Sequence, residues 1–250
     1  MKWTGWLTAI LLLLGGGSQA QVQLNLEDVV AGKIIQTKGM GAMSWLKDGE
    51  HYSRVEANAE QGGTDIVSYR AKDNAREVLI PASLFVDKAT GKSVPVRSIS
   101  WSADNRKVLV YTNTQRVWRY DTRGDYWVLD LSDKSFRQIG KDRPESSLMF
   151  AKFSPDASKV AYVSENNIYV EDLASQSVKQ LTTDGSETIV NGTFDWVYEE
   201  EFACRDGFRW SPDGQYIAYW QSDTEGTGVF DMINNVDSLY PKILHFPYPK

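Results

Sequence analysis

Residues 153–157 read Phe153-Ser154-Pro155-Asp156-Ala157, an aromatic residue followed at once by a sequence typical of a tight turn. The pattern recurs along the 250 residues as Trp45-Leu46-Lys47-Asp48-Gly49, Trp101-Ser102-Ala103-Asp104-Asn105 and Trp210-Ser211-Pro212-Asp213-Gly214. The aromatic residues of successive units lie 56, 52 and 57 positions apart. Because proline, aspartate and glycine favour turns, each unit predicts a β-hairpin, with Asp156 and Asp213 bracing their own turns.

Apolar runs follow three of these turns and predict the second strand of each hairpin, at Lys107 to Tyr111, Lys159 to Val163 and Tyr216 to Trp220. A period near fifty residues with about four strands is typical of a β-propeller blade. A β-sandwich is the competing architecture, but it does not predict one unit recurring four times. We therefore predict an all-β fold, a partial β-propeller of about four blades, each a four-stranded antiparallel sheet.

Two segments interrupt the regular repeat. From the aromatic residue to the leucine that ends a later strand is 30 residues in the second repeat but 20 in the third, and the extra ten lie around Gln115 to Asp121. The connection to the next repeat is 22 residues after the second but 37 after the third, and that surplus contains Asp195 to Glu201. Loops on a rigid scaffold are where binding residues concentrate, so both segments are candidates for a functional site.

The second segment reads Asp195-Trp196-Val197-Tyr198-Glu199-Glu200-Glu201, with three consecutive carboxylates. Neighbouring carboxylates disfavour each other's ionisation, so a protein that keeps two ionised at one place usually supplies a cation for them to share. A substrate ammonium would serve, and a solvated acidic loop is the alternative. Adjacent residues on a strand point to opposite faces, so sharing one ammonium requires a short helix or turn near Glu200.

Residues 191 to 220, with Tyr240-Pro241-Lys242 and Phe246-Pro247-Tyr248-Pro249-Lys250, resemble the dipeptidyl peptidase IV family of serine exopeptidases in the prolyl oligopeptidase superfamily. The resemblance extends more weakly over most of residues 40 to 250. It implies that Glu200 and Glu201 bind the free α-amine of a peptide substrate, a role that Glu199 does not inherit. Trp118-Arg119-Tyr120 resembles the family's tryptophan-arginine pair, which implies that Arg119 contacts a substrate carbonyl oxygen. A surface arginine stacked on Trp118 is the alternative.

The family it resembles has an eight-bladed propeller followed by an α/β-hydrolase domain with a Ser-Asp-His triad. Only about four of the expected eight blades fit into residues 40–250, after a lead-in at 21–39, and no Gly-x-Ser-x-Gly sequence occurs. We therefore expect the N-terminal part of such a propeller, without the catalytic domain and without catalytic residues. An incomplete propeller would also expose apolar surface at its open edge.

The first twenty residues are typical of a signal peptide, with Lys2, an apolar run from Trp6 to Leu14, and small residues up to Ala20. This predicts an exported protein, either periplasmic or secreted. The apolar run is well short of the roughly 20 residues that cross a bilayer as a helix, so no stable membrane anchor is expected.

Charge and cysteine content exclude several classes of function. The formal net charge is −6 at pH 7 and no basic stripe with interleaved aromatics occurs, which argues against nucleic acid as a partner. The single cysteine, Cys204, allows no disulfide within the chain, and we expect it to be a small buried residue. Without a Cys/His cluster or a phosphate-binding glycine loop, neither a metal nor another cofactor is expected.

The sequence thus predicts the substrate-recognition propeller portion of a dipeptidyl peptidase IV-like serine peptidase. By resemblance, the complete enzyme would release Xaa-Pro or Xaa-Ala dipeptides from peptides with a free N-terminus and could form a homodimer, whereas this chain alone is expected to be inactive. The alternative is a noncatalytic periplasmic β-propeller that binds proteins, because propeller folds alone do not specify a function.

Overall fold

The computed structural model of the chain describes residues 25–32, 39, 41–60 and 62–248. The chain divides into two units, Met1–Gly41 and Ala42–Lys250. In the first unit, helix α1 covers Leu26–Val30, and the side chain of Asn25 caps it by accepting a hydrogen bond from the amide of Glu27. The predicted signal peptide lies outside the described residues. Among the residues that are described, no helix is long and apolar enough to cross a membrane.

The second unit is built almost entirely from short strands. The strands are β1 Met43–Trp45, β2 His51–Ala57, β3 Thr64–Arg70, β4 Arg76–Ile80, β5 Val86–Asp87, β6 Lys92–Ser93, β7 Ser98–Trp101, β8 Lys107–Arg116, β9 Asp121–Asp130, β10 Ser135–Ile139, β11 Met149–Phe153, β12 Lys159–Ser164, β13 Asn167–Asp172, β14 Val178–Gln180, β15 Ile189–Asn191, β16 Phe208–Trp210, β17 Ile217–Tyr219, β18 Gln221–Asp223, β19 Val229–Asn234 and β20 Lys242–Pro247. A 3-10 helix covers Ala82–Leu84, and helix α2 covers Trp196–Phe202.

Three sheets have four antiparallel strands each, and within each sheet every strand pairs with the next one along the chain. Their orders are β1-β2-β3-β4, β7-β8-β9-β10 and β11-β12-β13-β14. This confirms the predicted all-β fold with four-stranded antiparallel blades. The fourth repeat is less regular, since β16 pairs with β17 while β15 pairs with β18 as a separate two-stranded sheet.

The repeated turns hold themselves together in the same way in three blades. The hydroxyl of Ser154 donates to Asp156 at 2.6 Å, and Asp156 also accepts from the amide of Ser158 at 3.1 Å. Ser102 with Asp104, and Ser211 with Asp213, repeat the 2.6 Å contact. The prediction that Asp156 and Asp213 brace their own turns is therefore confirmed.

Apolar clusters join each blade to the next. Ile66 and Ile80 of the first blade pack with Val108 and Leu129 of the second, and all four side chains are buried. A second cluster joins the second and third blades, and a third places Phe208 of the fourth repeat against the third blade. Because inner strands such as β12 are covered by blades on both faces, they are buried at nearly every position. This stack fixes the positions of the loops that leave it.

Exposed apolar side chains lie close together along the hairpin β19–β20. It extends from Val229 to Pro247, and Ile233 is 72% exposed. Other exposed apolar side chains along it are Val229, Phe230, Met232, Val236, Leu239, Tyr240, Ile243 and Leu244. The expectation of exposed apolar surface at the open edge of a partial propeller stays a prediction.

Candidate functional site

Helix α2 lies on an excursion that leaves the fourth repeat and returns to it. Thr193 and Asp206 form an antiparallel bridge, and the amide of Phe194 donates to the carbonyl of Arg205 at 3.2 Å, so the two ends of the excursion lie side by side. Asp195 begins the helix by accepting hydrogen bonds from two amides of the first turn, at 3.0 and 3.2 Å. The predicted short helix near Glu200 is confirmed.

Aromatic contacts fix how this helix is rotated. The ring of Tyr198 stacks on that of Phe194 with centroids 4.6 Å apart. The indole of Trp196 donates to the carbonyl oxygen of Pro247 at 3.0 Å, which ties the helix to the hairpin β19–β20. The helix ends at Ala203, which adopts the left-handed conformation with φ of 49°.

The three consecutive glutamates occupy three different environments. Since successive helical residues are about 100° apart, their side chains leave the helix in different directions. Glu199 points into the protein with a fully buried side chain, the side chain of Glu200 is 23% exposed, and Glu201 faces solvent. In the described part of the chain Glu201 has no hydrogen-bond or ion-pair partner.

Arg119 reaches the helix from the second blade. Strands β8 and β9 continue beyond the blade as an extended hairpin, and Arg119 lies in the bend between them. Its guanidinium forms a two-pronged ion pair with Glu200, in which Nε donates to Oε1 at 2.5 Å and Nη2 contacts Oε2. The structure therefore brings together Arg119 and Glu200, two of the residues singled out from the sequence, although they are 81 positions apart.

Glu199 holds the same bend by a different route. Its Oε1 accepts the backbone amide of Arg119 at 2.8 Å, and its Oε2 lies 3.3 Å from Nη1 of the buried Arg205. The guanidinium of Arg205 lies 3.9 Å from the centroid of the Trp118 ring. Burial lowers the pKa of Arg205 to about 10, against the opposing effect of the Glu199 carboxylate, so the guanidinium stays charged at neutral pH.

Sequence reasoning missed Arg205 altogether. Several arginines lie near the two excursions, and nothing in the local sequence marks one of them as the partner of a buried glutamate. It also gave Arg119 a choice between substrate binding and stacking on Trp118, whereas the arginine over that ring is Arg205.

The charges at the site leave one negative charge uncompensated. Three carboxylates, Glu199, Glu200 and Glu201, face two guanidinium groups, Arg119 and Arg205, so the net charge of the five groups is −1. A ligand with a single positive charge would bring this total to zero. The acceptor it would find open is Glu201, with Glu200 beside it.

An apolar cavity adjoins the two outer glutamates. Its volume is about 430 Å³, and besides Glu200 and Glu201 it is lined by Trp196, Phe230, Met232, Phe246, Pro247 and Tyr248. Phe230, Met232 and Tyr248 are each about half exposed, so the cavity is open to solvent and gives the carboxylates an apolar neighbour on one side.

The described residues contain no group of three or more side chains that could hold a metal ion. The histidine rings pair with nearby aspartates, His51 with Asp48 at 2.8 Å and His245 with Asp231 at 2.6 Å. Cys204 is only partly buried, so the expectation of a buried cysteine was wrong in degree, because it follows the exposed end of α2.

Comparison with known families bears on this arrangement. The family model of the dipeptidyl peptidase IV N-terminal region matches residues 102–250, more than half of the chain, including the Arg119 bend and helix α2. The chain belongs to the dipeptidyl peptidase IV family. The resemblance stated from the sequence is thereby confirmed.

Individual relatives of the dipeptidyl peptidase IV family agree with this assignment. Dipeptidyl aminopeptidase B of Saccharomyces cerevisiae is 34% identical over 219 residues, which cover 83% of this chain and 25% of that protein. A probable dipeptidyl-aminopeptidase B of Aspergillus oryzae is 30% identical over 220 residues, covering 81% of this chain and 23% of that protein.

A solved structure from the same family has the same fold. The crystal structure of Porphyromonas gingivalis dipeptidyl peptidase 4 matches with a TM-score of 0.77 and 27% identity, covering 91% of this chain and 31% of that one. This match supports the propeller architecture. The chain spans about a quarter to a third of the length of the relatives it matches.

Proposed function

We propose that this chain is the substrate-recognition part of a dipeptidyl peptidase IV-like serine peptidase. In the complete enzyme, Glu200 and Glu201 would bind the free α-amine of a peptide, and Arg119 would orient the peptide by contacting a backbone carbonyl oxygen. The complete enzyme would release Xaa-Pro or Xaa-Ala dipeptides. We propose no cofactor for this reaction.

The observation that carries the proposal is the net charge of −1 formed where two excursions meet. Arg119 and Glu200 already form an ion pair, and Glu201 is an open acceptor next to them. An ammonium group held by both carboxylates would gain two charge-assisted hydrogen bonds beside an apolar wall. A blocked amino terminus would lose that charge and leave Glu201 without a partner.

Binding the amino terminus at a fixed point would let the site select which peptide bond is cleaved. Only the peptide bond at a set distance from the amine can then reach a nucleophile elsewhere in the complete protein. Selection by distance from the amino terminus favours an exopeptidase over an endopeptidase. The nucleophile itself would belong to a hydrolase domain outside this chain, so the chain by itself is proposed to bind without hydrolysing.

Peptides with a free N-terminus are therefore the proposed ligands, and the complete enzyme is proposed to act outside the cytoplasm, in the periplasm or after secretion. The predicted signal peptide supports that location. A homodimer of the complete enzyme and the absence of a membrane anchor and of a nucleic acid partner remain predictions from the sequence.

The test uses the protein that the gene encodes in full, with Gly-Pro-p-nitroanilide as substrate. We expect Glu200→Ala and Glu201→Ala each to lower kcat/KM by about 100-fold, the size of effect expected when a charged hydrogen-bonding group is removed. Glu77→Ala, an exposed glutamate on β4 far along the chain, is the matched control and should retain full activity.

Near-normal turnover in both glutamate variants would refute their role. Absence of any activity in the unaltered protein, together with binding of a folded protein partner, would instead favour the noncatalytic binding module. N-acetylated Gly-Pro-p-nitroanilide separates the ideas further, since the proposal predicts that the unaltered enzyme does not cleave it.

A further inference from the structure

Glu199 and Arg205 form a buried ion pair that has no assigned part in amine binding. The side chain of Glu199 is 0% exposed and that of Arg205 is 8% exposed, with 3.3 Å between Oε2 and Nη1. Taking two charges out of water is costly, and a buried pair is often no more stable than apolar residues of the same shape. This pair therefore calls for an explanation other than net stability.

The two oxygens of Glu199 serve two different partners on one segment. Oε1 accepts the backbone amide of Arg119 at 2.8 Å, and Oε2 holds Arg205, whose guanidinium covers the Trp118 ring at 3.9 Å from its centroid. One carboxylate thus secures both residues of the Trp118-Arg119 bend. Pairing between β8 and β9 stops short of these residues, because β8 ends at Arg116 and β9 begins at Asp121. Within the bend, the amide of Val117 donates to the carbonyl of Tyr120 at 3.1 Å and Nε of Arg116 donates to the carbonyl of Trp118 at 3.0 Å, but neither contact ties the bend to helix α2.

The position of this bend decides whether Arg119 can serve the site. Arg119 is 64% exposed in its side chain, so packing does not hold the guanidinium in place. Its direction is set by its backbone and by the ion pair with Glu200. Because Glu199 precedes Glu200 on α2, one rigid helix supports the backbone and the guanidinium of Arg119 at once.

We propose that Glu199 is a positioning residue, which fixes the Trp118-Arg119 bend so that the Arg119 guanidinium lies between Glu200 and the bound peptide. This inference rests on the proposed function for its consequence in catalysis. The structural part of the inference, that the position of the bend depends on Glu199, does not rest on the proposed function. Arg205 acts with Glu199 by neutralising its charge and supporting Trp118.

The first experiment follows hydrogen exchange of the Arg119 amide in the complete gene product. Glu199→Ala should speed exchange of this amide at least about tenfold, since its acceptor is lost and the bend opens locally. Glu199→Gln keeps an oxygen acceptor and should retain most of the protection. Glu201→Ala, on the same helix, is the control and should leave the amide protected. Unchanged protection in Glu199→Ala would overturn the proposal.

The second experiment measures kinetics on Gly-Pro-p-nitroanilide. With Arg119 misplaced, Glu199→Ala should raise KM by about tenfold and change kcat much less, as expected for loss of an orienting contact. Arg205→Met, which keeps bulk under Trp118 but leaves Glu199 unpaired, should shift KM in the same direction. Glu199→Gln should recover most of the loss. A fall in kcat alone, or no recovery by Glu199→Gln, would contradict positioning.

The two experiments separate this inference from the proposed function. If the unaltered protein does not cleave the substrate, the proposed function fails, and the exchange of the Arg119 amide still decides whether Glu199 positions the bend. If the protein is active and Glu199→Ala has the same KM as the unaltered enzyme, the function stands and the positioning role fails.

Discussion

Three adjacent glutamates in this chain differ more from one another than their shared chemistry suggests. Glu199 is buried and paired, Glu200 is shared with Arg119, and Glu201 is open to solvent. The rotation of helix α2 produces this difference, and the aromatic contacts of Trp196 and Tyr198 fix that rotation. The direction in which each glutamate side chain leaves the helix therefore decides what it can bind.

The dependence of each glutamate's role on its direction explains which site residues could be predicted from the sequence. The pair Glu200 and Glu201, and Arg119, could be singled out because they lie in segments that interrupt a regular repeat. The partnership of Glu199 with Arg205 could not, because it depends on which way the helix faces. Local sequence does not reveal a contact that requires the completed fold.

We expect Arg119→Lys to raise KM for Gly-Pro-p-nitroanilide by about tenfold, because an ammonium cannot reproduce the two-pronged geometry of a guanidinium. The backbone amide that binds Glu199 is unchanged in this variant, so the bend should keep its place. The measurement is steady-state kinetics of the complete enzyme. Arg106→Lys, at an exposed turn of the second blade, is the matched control and should behave as wild type.

At the scale of elements, the repeated turns are short, self-contained units. Three of the four use a serine hydroxyl and an aspartate two residues later, so their hydrogen bonds lie within about five residues. Such local bonding can be recognised from sequence, and the hairpins at these turns were predicted where they occur. The length of β8 was not, because its extension to Arg116 depends on pairing with β9 across two register shifts.

The pairing of β15 with β18 could not be predicted from the sequence either. It passes over the hairpin β16–β17 and the whole of α2, so no periodicity along the chain indicates it. Long-range pairings of this kind depend on how the repeats stack.

Asp195→Ala should loosen helix α2 by about 1 kcal/mol, the usual cost of losing an N-cap acceptor. Hydrogen exchange within the helix should then be about fivefold faster, whereas Asp195→Asn, which keeps an acceptor oxygen, should change little. Equal exchange in the alanine variant and the wild type would show that aromatic packing alone holds the helix.

The turn at Asp156 should make a pH-dependent contribution to stability. Hydrogen bonds from Ser154 and Ser158 lower the pKa of Asp156 from 3.8 to about 2. A carboxyl with a lowered pKa in the folded state stabilises it above the unfolded value, and that contribution is lost as the pH falls through the folded pKa.

The melting temperature of Asp156→Ala should therefore lie below that of wild type at pH 5 to 7, and the difference should shrink as the pH falls from 4 towards 2. The exposed position limits the effect to about 1 kcal/mol at most. A difference that stays constant down to pH 2 would show that the ionised carboxylate is not its source.

At the scale of the whole molecule, ionic contacts as well as apolar clusters join the blades. Glu171 of the third blade is 5% exposed and accepts from Arg137 of the second at 2.5 Å, and also from the amide of Gly140 at 2.8 Å. Lys152 and Asp206 form a similar contact between the third blade and the fourth repeat. Such pairs fix how one blade sits against the next.

Removing one partner should therefore cost far more than removing an exposed pair. Arg137→Ala would leave the Glu171 carboxylate buried with too few partners, and we expect it to destabilise the protein by about 3 kcal/mol. Arg97→Ala, which breaks the exposed contact with Asp121, should cost about 0.5 kcal/mol or less. Urea unfolding followed by tryptophan fluorescence measures the free energy of unfolding of both variants. Equal losses in the two variants would contradict the larger cost predicted for the buried pair.

The hydrogen bond from the Arg119 amide to Glu199 closes a loop of 80 residues, and the third blade, Met149 to Gln180, lies inside that loop. The entropy lost on closing a loop grows with its length, so closure from the unfolded chain is slowest while that interval is flexible. Once the third blade has formed, the two ends are held near each other. Formation of the site should therefore follow the folding of the third blade, and a slow third blade would delay binding competence without touching a single binding residue.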